Sequence, residues 1–468
     1  MKSKPEEPPQ IATKFANIIF VLGIFYSTLI VVYALYKIYN PTGSVTPVFY
    51  IINIVCGGML VIFFSYGLKK LSNNFKVNLS ILFFTTGITI YGLETYLELK
   101  TRKEIVAKIM GVPYDTRTKR EVLKELTDSG VNAFPNTAPD YYKDLNGFTS
   151  KKGRIYPLGT ISNKTVVYCN EIGFWSIYET DEHGFNNSKG LYKENKVDIT
   201  LIGDSFTEGA CVKPDDSIGG VLRQLNYNAI SFGKGGNGSL LELAALKEYA
   251  EPLKAKNVLW LYYENDLFTL QSEMNSSILR RYLIEKDYSQ NLIFRQDEID
   301  NVLINYVQNE LDKQEKHWDK ENTGLADDAI KILKLYNLRM RINLIPKPKY
   351  EPLPTITPTH IFKDILQKSN KMVSDWGGKM YFVYLPSFYR YSLGNERPNR
   401  NFVMQTATEL DIPIIDIQSE LFDTHPDPLS LFPFRMRGHY TVEGYKLVAE
   451  AIRKRLETDG YVPIKSKK

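Results

Sequence analysis

The sequence predicts an α/β protein in which a parallel sheet follows a three-helix membrane anchor. Three observations predict it: uncharged apolar runs confined to the first hundred residues, strand-length apolar segments alternating with helical ones from residue 197 onward, and a serine directly after the first of those strands. The chain has 468 residues, enough for several domains. Lys and Arg total 58 against 53 Asp and Glu, and the net charge of +5 is spread along the chain. No basic run of the kind that engages nucleic acid is present.

The anchor comes first. Residues 15–36, between Lys14 and Lys37, carry no charge, and about 20 apolar residues suffice to cross the hydrocarbon layer. A second uncharged stretch covers 38–68, with Pro41 and Pro47 marking a loop before a span from about residue 48. The third span covers about 77–97 and passes Glu94 near the interface. The first stretch is too long for the apolar core of a signal peptide and lacks a small-residue cleavage site, so it reads as a retained anchor. Lys2, Lys4 and Lys14 precede the first span, and Lys69, Lys70 and Lys76 join the second to the third. Basic residues in short loops favour the cytoplasmic side, which puts the N-terminus inside and everything after about residue 100 outside. Lys100, Arg102, Lys103 and Lys108 pull the other way. A bacterial-type inner membrane with a periplasmic domain is the expectation. In an oxidising compartment Cys169 and Cys211 are a candidate disulfide, the third cysteine, Cys56, being inside the second span.

Residues 101–196 read as an irregular connector wrapping the domain that follows, with one helical piece at about 119–129. The domain itself, 197–468, offers strands at 199–203, 229–232, 258–263, 380–385 and 412–415, and helices at about 219–225, 240–253, 361–376 and 446–456. Such alternation implies a parallel sheet covered on both faces. Between the third and fourth strands lies an insertion, 268–360, helix-like and closed by Pro346-Lys347-Pro348 and Pro352-Leu353-Pro354. Insertions at the carboxyl ends of strands sit beside the site, so this one reads as a lid or as a docking surface for a partner.

Four segments carry chemistry. Gly203-Asp204-Ser205-Phe206-Thr207-Glu208-Gly209 places a serine at the carboxyl end of the first strand, where open α/β sheets put their sites. Position 207 is Thr, so this is not the G-x-S-x-G elbow. After the second strand, Phe232-Gly233-Lys234-Gly235-Gly236-Asn237-Gly238-Ser239 lets backbone N–H groups approach a substrate closely. After the third, Tyr263-Glu264-Asn265-Asp266-Leu267 offers a side-chain amide. Before the last helix, Gly438-His439-Tyr440-Thr441 supplies the one histidine of five at a loop-to-helix junction. A serine nucleophile needs a base for its proton and donors for the oxyanion, and these segments hold both.

In order and placement the four segments resemble the SGNH/GDSL hydrolase superfamily over about residues 198–458, insertion excepted. The resemblance implies an SGNH-type, flavodoxin-like fold with Ser205 as nucleophile and His439 as general base. It implies an oxyanion hole of the Ser205 and Gly236 N–H groups and the Asn265 amide, and it makes Asp204 a structural acceptor. It requires no cofactor. The family's acid, usually an Asp two or three residues before the histidine, is missing, since Met436 and Arg437 stand there. Asp427 is the favoured replacement and Asp423 the other; a Ser-His dyad held by a backbone carbonyl, or an inactive site, are the remaining readings. A membrane-anchored member of this kind resembles enzymes that add or remove O-acetyl groups on envelope polysaccharides. A transferase would need a membrane partner to deliver acyl groups; an esterase would not. A lipase or lysophospholipase, or a non-catalytic glycan-binding or assembly protein, are the alternatives. His317 and His360 lack neighbours at metal-ligand spacing, His183 reads as part of a structural turn, and His425 as an exposed loop residue or a substrate contact.

Overall fold

The computed structural model describes residues 7–40, 47–100, 102–142, 146–193, 197–318, 332–342, 359–393 and 399–463. Two compact units result: 1–98 with 325–345, and 99–324 with 346–468. The first holds α1 (Gln10–Tyr39), α2 (Pro47–Lys70) and α3 (Asn73–Leu99), all long and apolar enough to cross a membrane. Their contacts suit helices that pack in lipid, where small residues admit close approach. A Cβ on Gly57 would lie 2.7 Å from Val31, and the Lys76 amine donates to Asn17 Oδ1 at 3.2 Å.

The second unit opens with α4 (Lys103–Met110) and α5 (Lys119–Asp128). Thr118 and Glu121 close a reciprocal capping box at the start of α5. The region expected to be an irregular connector instead forms a small mixed sheet of β1 (Ala133–Pro135), β4 (Thr165–Val167) and β5 (Ile177–Glu179), and a separate antiparallel hairpin of β2 (Phe148–Ser150) and β3 (Gly153–Ile155). β1 pairs parallel with β4, and β4 antiparallel with β5.

The main sheet follows: β6 (Ile199–Gly203), a short α6 (Ser205–Glu208), α7 (Ile218–Gln224), β7 (Ala229–Ser231), α8 (Ser239–Ala245) and β8 (Asn257–Tyr262). Next come α9 (Asp266–Glu273), α10 (Ser277–Ile284), α11 (Gln296–Trp318) and, in the first unit, α12 (Tyr336–Arg341). The chain ends with α13 (Thr359–Asp375), β9 (Lys379–Tyr384), α14 (Phe388–Leu393), α15 (Asn399–Glu409), β10 (Ile414–Asp416) and α16 (Val442–Thr458). Every pairing is parallel in the order β10-β9-β8-β6-β7, which is the flavodoxin-like 2-1-3-4-5 arrangement.

Side chains alternate across these strands, as strand geometry requires. Ile202, Trp260, Tyr262, Phe382 and Tyr384 enter the core shared with α8, α13 and the small sheet. Ile199, Leu201, Leu259, Leu261, Tyr381 and Val383 enter the one shared with α7 and α16. With both faces covered, the ends of the strands are left open to chemistry. Pro41 and the two Pro-rich stretches of the insertion lie outside the described residues.

Candidate active site

Strands β7, β6 and β8 are neighbours, so the segments following them emerge side by side at one end of the sheet. The chain leaves β6 and β8 in opposite senses, making the crevice between them the topological switch point. Ser205 heads α6 at that point. Asp204 caps the helix: its Oδ1 accepts the Phe206 N–H at 2.9 Å, and its Oδ2 lies 3.4 Å from the Ser205 hydroxyl. Burial raises the Asp204 carboxyl to about 6.

His439 reaches Ser205 from the loop before α16. Its Nε2 stands 2.8 Å from Ser205 Oγ. The ring lies against Phe206, centroids 4.8 Å apart, and Phe206 is itself stacked on Tyr263 at 4.2 Å. Tyr440, next in sequence, donates to the Pro386 carbonyl at 2.7 Å and fixes the approach of the loop.

The carboxylate on the other imidazole nitrogen is Glu171. Its Oε2 lies 3.1 Å from His439 Nδ1 and accepts the His439 backbone N–H at 2.6 Å. Asp427, expected in that place, is turned away: it is held by Arg435, whose Nη2 donates to Oδ1 at 2.8 Å. Asp423 accepts from Tyr391 at 2.8 Å and from Gln418 at 3.2 Å. The expectation fails because the acid comes from the β4–β5 hairpin, 268 residues before the histidine, rather than from the adjoining loop. Burial alone would raise the Glu171 carboxyl; the hydrogen bond and charge of His439, the Lys103 ammonium 3.6 Å away and the His439 N–H overcome it and lower it to about 2.

The hairpin that carries Glu171 is tied down on several sides. Cys169 and Cys211 form a disulfide, joining the position two residues before Glu171 to one six residues after Ser205. Ser176 donates to the Val212 carbonyl at 2.6 Å, Asn170 to the Asp115 carbonyl at 2.8 Å, and Trp175 to the Arg117 carbonyl at 3.0 Å. Ligand atoms of Glu171, Cys211 and His439 gather within 4.8 Å, but the Cys211 sulfur is spent in the disulfide, leaving no thiolate for a metal.

The second segment forms the loop between β7 and α8. Gly236 has φ +74, and a Cβ there would stand 2.9 Å from the Cβ of Asp140, so only glycine fits without strain. Its N–H makes no hydrogen bond among the described residues. Behind the loop, the fully buried Glu208 carboxylate pairs with the equally buried Lys234. Glu208 also accepts from the Gly235 N–H at 2.8 Å, from Asn136 at 2.9 Å and from Tyr178 at 3.0 Å. The pair thus locks the Gly235–Gly236 loop to both the serine segment and the small sheet. Asn265 stands at the start of α9, where its side-chain oxygen has no hydrogen-bond partner among the described residues. The three groups expected to bind an oxyanion therefore follow three adjacent strands.

Among the described side chains, His183, His360 and His425 make no hydrogen bond to Ser205 or His439, and the side chain of His317 lies outside them. His183 lies in the turn organised by Asp181, 3.3 Å from Gln296 and edge-on to Tyr192. His425 Nδ1 accepts the Asp427 N–H at 3.1 Å, and His360 is exposed.

Neither a protein-family model nor a curated protein matches the chain. Among solved structures, the chain is similar to an acetyl xylan esterase, with a TM-score of 0.32 and 13% identity over 56% of this chain and 100% of that one. It is similar to the lipase/acylhydrolase from Enterococcus faecalis, at 0.31 and 11% over 57% and 99%. A GDSL-like lipase from Bacteroides thetaiotaomicron gives 0.29 and 13% over 57% and 90%.

Proposed function

We propose that this chain is a membrane-anchored serine esterase or acyltransferase of the SGNH/GDSL type that acts on acyl esters of an envelope polysaccharide. The observation that carries the reading is the relay Ser205 Oγ to His439 Nε2 at 2.8 Å and His439 Nδ1 to Glu171 Oε2 at 3.1 Å. In this reading Ser205 attacks the ester carbonyl while His439 takes its proton, and Glu171 holds the imidazole and stabilises its charged form. The Ser205 and Gly236 N–H groups and the Asn265 amide receive the oxyanion. Collapse of the tetrahedral adduct expels the sugar hydroxyl, which leaves with the proton from His439, and an acyl-Ser205 remains. Water then makes the enzyme an esterase; in a transferase the acyl group instead reaches Ser205 from an ester or thioester on a membrane acyl-donor partner, whose alcohol or thiol leaves with the His439 proton, and a sugar hydroxyl then takes the acyl group from Ser205. Neither course calls for a cofactor.

The basic residues flanking the apolar helices favour a cytoplasmic N-terminus and an outer catalytic unit. The Cys169–Cys211 disulfide supports the same side, since such bonds persist in oxidising compartments. The inactive reading rested on a missing acid, and the Glu171 carboxylate at His439 Nδ1 supports the active one. A lipase is less well supported, because α10 and α11 of the insertion carry Arg280, Arg281, Asp297, Glu298 and Asp312.

The test is covalent labelling of the full chain in detergent with a fluorophosphonate, followed by turnover of p-nitrophenyl acetate. Ser205 is expected to take the label, and Ser205→Ala is expected to lose both label and turnover. Labelling of another residue, or turnover that survives the substitution, would sink the mechanism.

A further inference from the structure

A cleft of about 320 Å³ opens between α5, the end of β1 and α11. That volume is at the lower end of the range for small-molecule sites. Its lining includes two cations, Lys119 and Arg120, one carboxylate, Glu310, and the apolar surface of Leu123, Tyr141 and Tyr306. The cleft adjoins the Gly235–Gly236 loop through two residues. Asp140, the neighbour of Tyr141, packs on Gly236, and Asn136, another lining residue, donates to the Glu208 carboxylate that also receives the Gly235 N–H. The wall of the cleft is thereby joined, through the buried Glu208, to the Gly235–Gly236 loop.

Lys119 is the informative residue. It is the first residue of α5, where the helix dipole disfavours a cation. The helix start is already satisfied by Thr118 and Glu121, so the lysine serves no local structural need. It is half-buried and has neither a hydrogen bond nor an ion pair among the described residues. A partly desolvated ammonium without a counter-charge is costly, and an anion entering the cleft would relieve that cost. Tyr141, 56% exposed, and Tyr306 supply apolar ring surface with polar tips, which suits the apolar face and hydroxyl rim of a sugar.

We propose that this cleft is a subsite for a carboxylate-bearing sugar unit of the glycan acylated or deacylated at Ser205. The inference rests on the glycan reading above and goes beyond it in naming an acidic substrate and the residues that select it. Lys119 pairs with the sugar carboxylate and Tyr141 packs on the ring.

The experiment measures binding to the full-length Ser205→Ala chain in nanodiscs by calorimetry, using a tetrasaccharide of hexuronic acid and its neutral hexose counterpart. The acidic tetrasaccharide is expected to bind at least tenfold more tightly. Lys119→Ala and Tyr141→Ala are each expected to weaken it about tenfold, and Lys119→Arg to retain most of it. In the chain with Ser205 intact, Lys119→Ala is expected to leave the melting temperature unchanged. Equal binding of the two saccharides, no binding of either, or indifference to Lys119→Ala would overturn the subsite. A wild-type chain that fails to turn over the small ester would instead sink the acyl-transfer reading, while the binding comparison still judges the cleft.

Discussion

At the scale of single residues, the proposed mechanism makes Glu171 decide whether His439 works as a base. An acid in this position fixes the tautomer and stabilises the imidazolium, and losing its charge in a serine triad costs about ten-thousandfold. For Glu171→Gln we expect kcat on p-nitrophenyl acetate to fall by about 10³–10⁴ with KM little changed; a fall of less than tenfold would remove Glu171 from the relay. The same residue makes a stability prediction. Its carboxyl lies at about 2 in the folded chain against an ordinary 4.5. An acid lowered by folding contributes stability once the unfolded carboxyl is ionised, so the contribution is complete above about pH 4.5 and is lost as pH falls toward 2. Glu171→Gln should flatten that part of the melting-temperature profile. Ser205, Gly236, Asn265 and His439 were legible because each follows a strand or precedes a helix at a recognisable turn. Glu171 was not, because its partner lies in another part of the chain and local spacing says nothing about it. One signal did exist. Pairing Cys169 with Cys211 already implies that residue 171 lies near the segment containing Ser205.

At the scale of elements, the β4–β5 hairpin turns the presumed connector into part of the site. Strands β6 to β10 were legible from apolar runs of strand length, but β1 to β5 have three residues each, too short for alternation to register. Helix α15 was also missed, although the parallel pairing of β9 with β10 requires a crossover there. The hairpin's position depends on covalent as well as hydrogen bonds. The Cys169–Cys211 link spans 42 residues, a loop for which chain entropy predicts about 4 kcal/mol of stabilisation. Replacing both cysteines by serine is expected to lower stability by up to that amount in urea unfolding. It should also lower kcat more than it raises KM, because Glu171 loses its tether while the sheet that seats substrate remains. A doubly substituted chain with unchanged kcat would show that the hairpin's hydrogen bonds alone hold the acid. The buried Lys234–Glu208 pair makes the complementary link on the oxyanion side, and removing one partner of such a pair typically costs about 3–5 kcal/mol.

At the scale of the whole molecule, the insertion divides between the two units. Helices α9 to α11 belong with the α/β sheet, whereas residues 325–345 belong with the membrane helices. The reason lies in α3. Glu94 and Glu98 are buried near its end, and carboxylates in a membrane-spanning helix are costly unless they find donors. The α12 segment supplies them: the Asn337 and Leu338 N–H groups donate to Glu94 at 2.8 and 2.7 Å, and the Asn337 amide donates to Glu98 at 2.7 Å. A lid or a partner-docking surface was the expectation for the insertion; among the described residues, this part of it instead caps the chain's own third apolar helix. The division predicts how the protein can be cut. Removing residues 1–98 alone strands α12 and its exposed neighbours Leu333 and Ile342 without the helix they accompany, so that truncated chain should aggregate. Removing 1–98 and replacing 325–345 by a short Gly/Ser linker should yield a soluble monomer, because the triad, the disulfide and both cores lie wholly in the second unit. Size-exclusion chromatography and p-nitrophenyl acetate turnover decide the matter. A doubly trimmed protein that elutes as a monomer with full-length kcat bears the division out, and one that loses turnover while remaining folded would assign residues 325–345 to the catalytic unit.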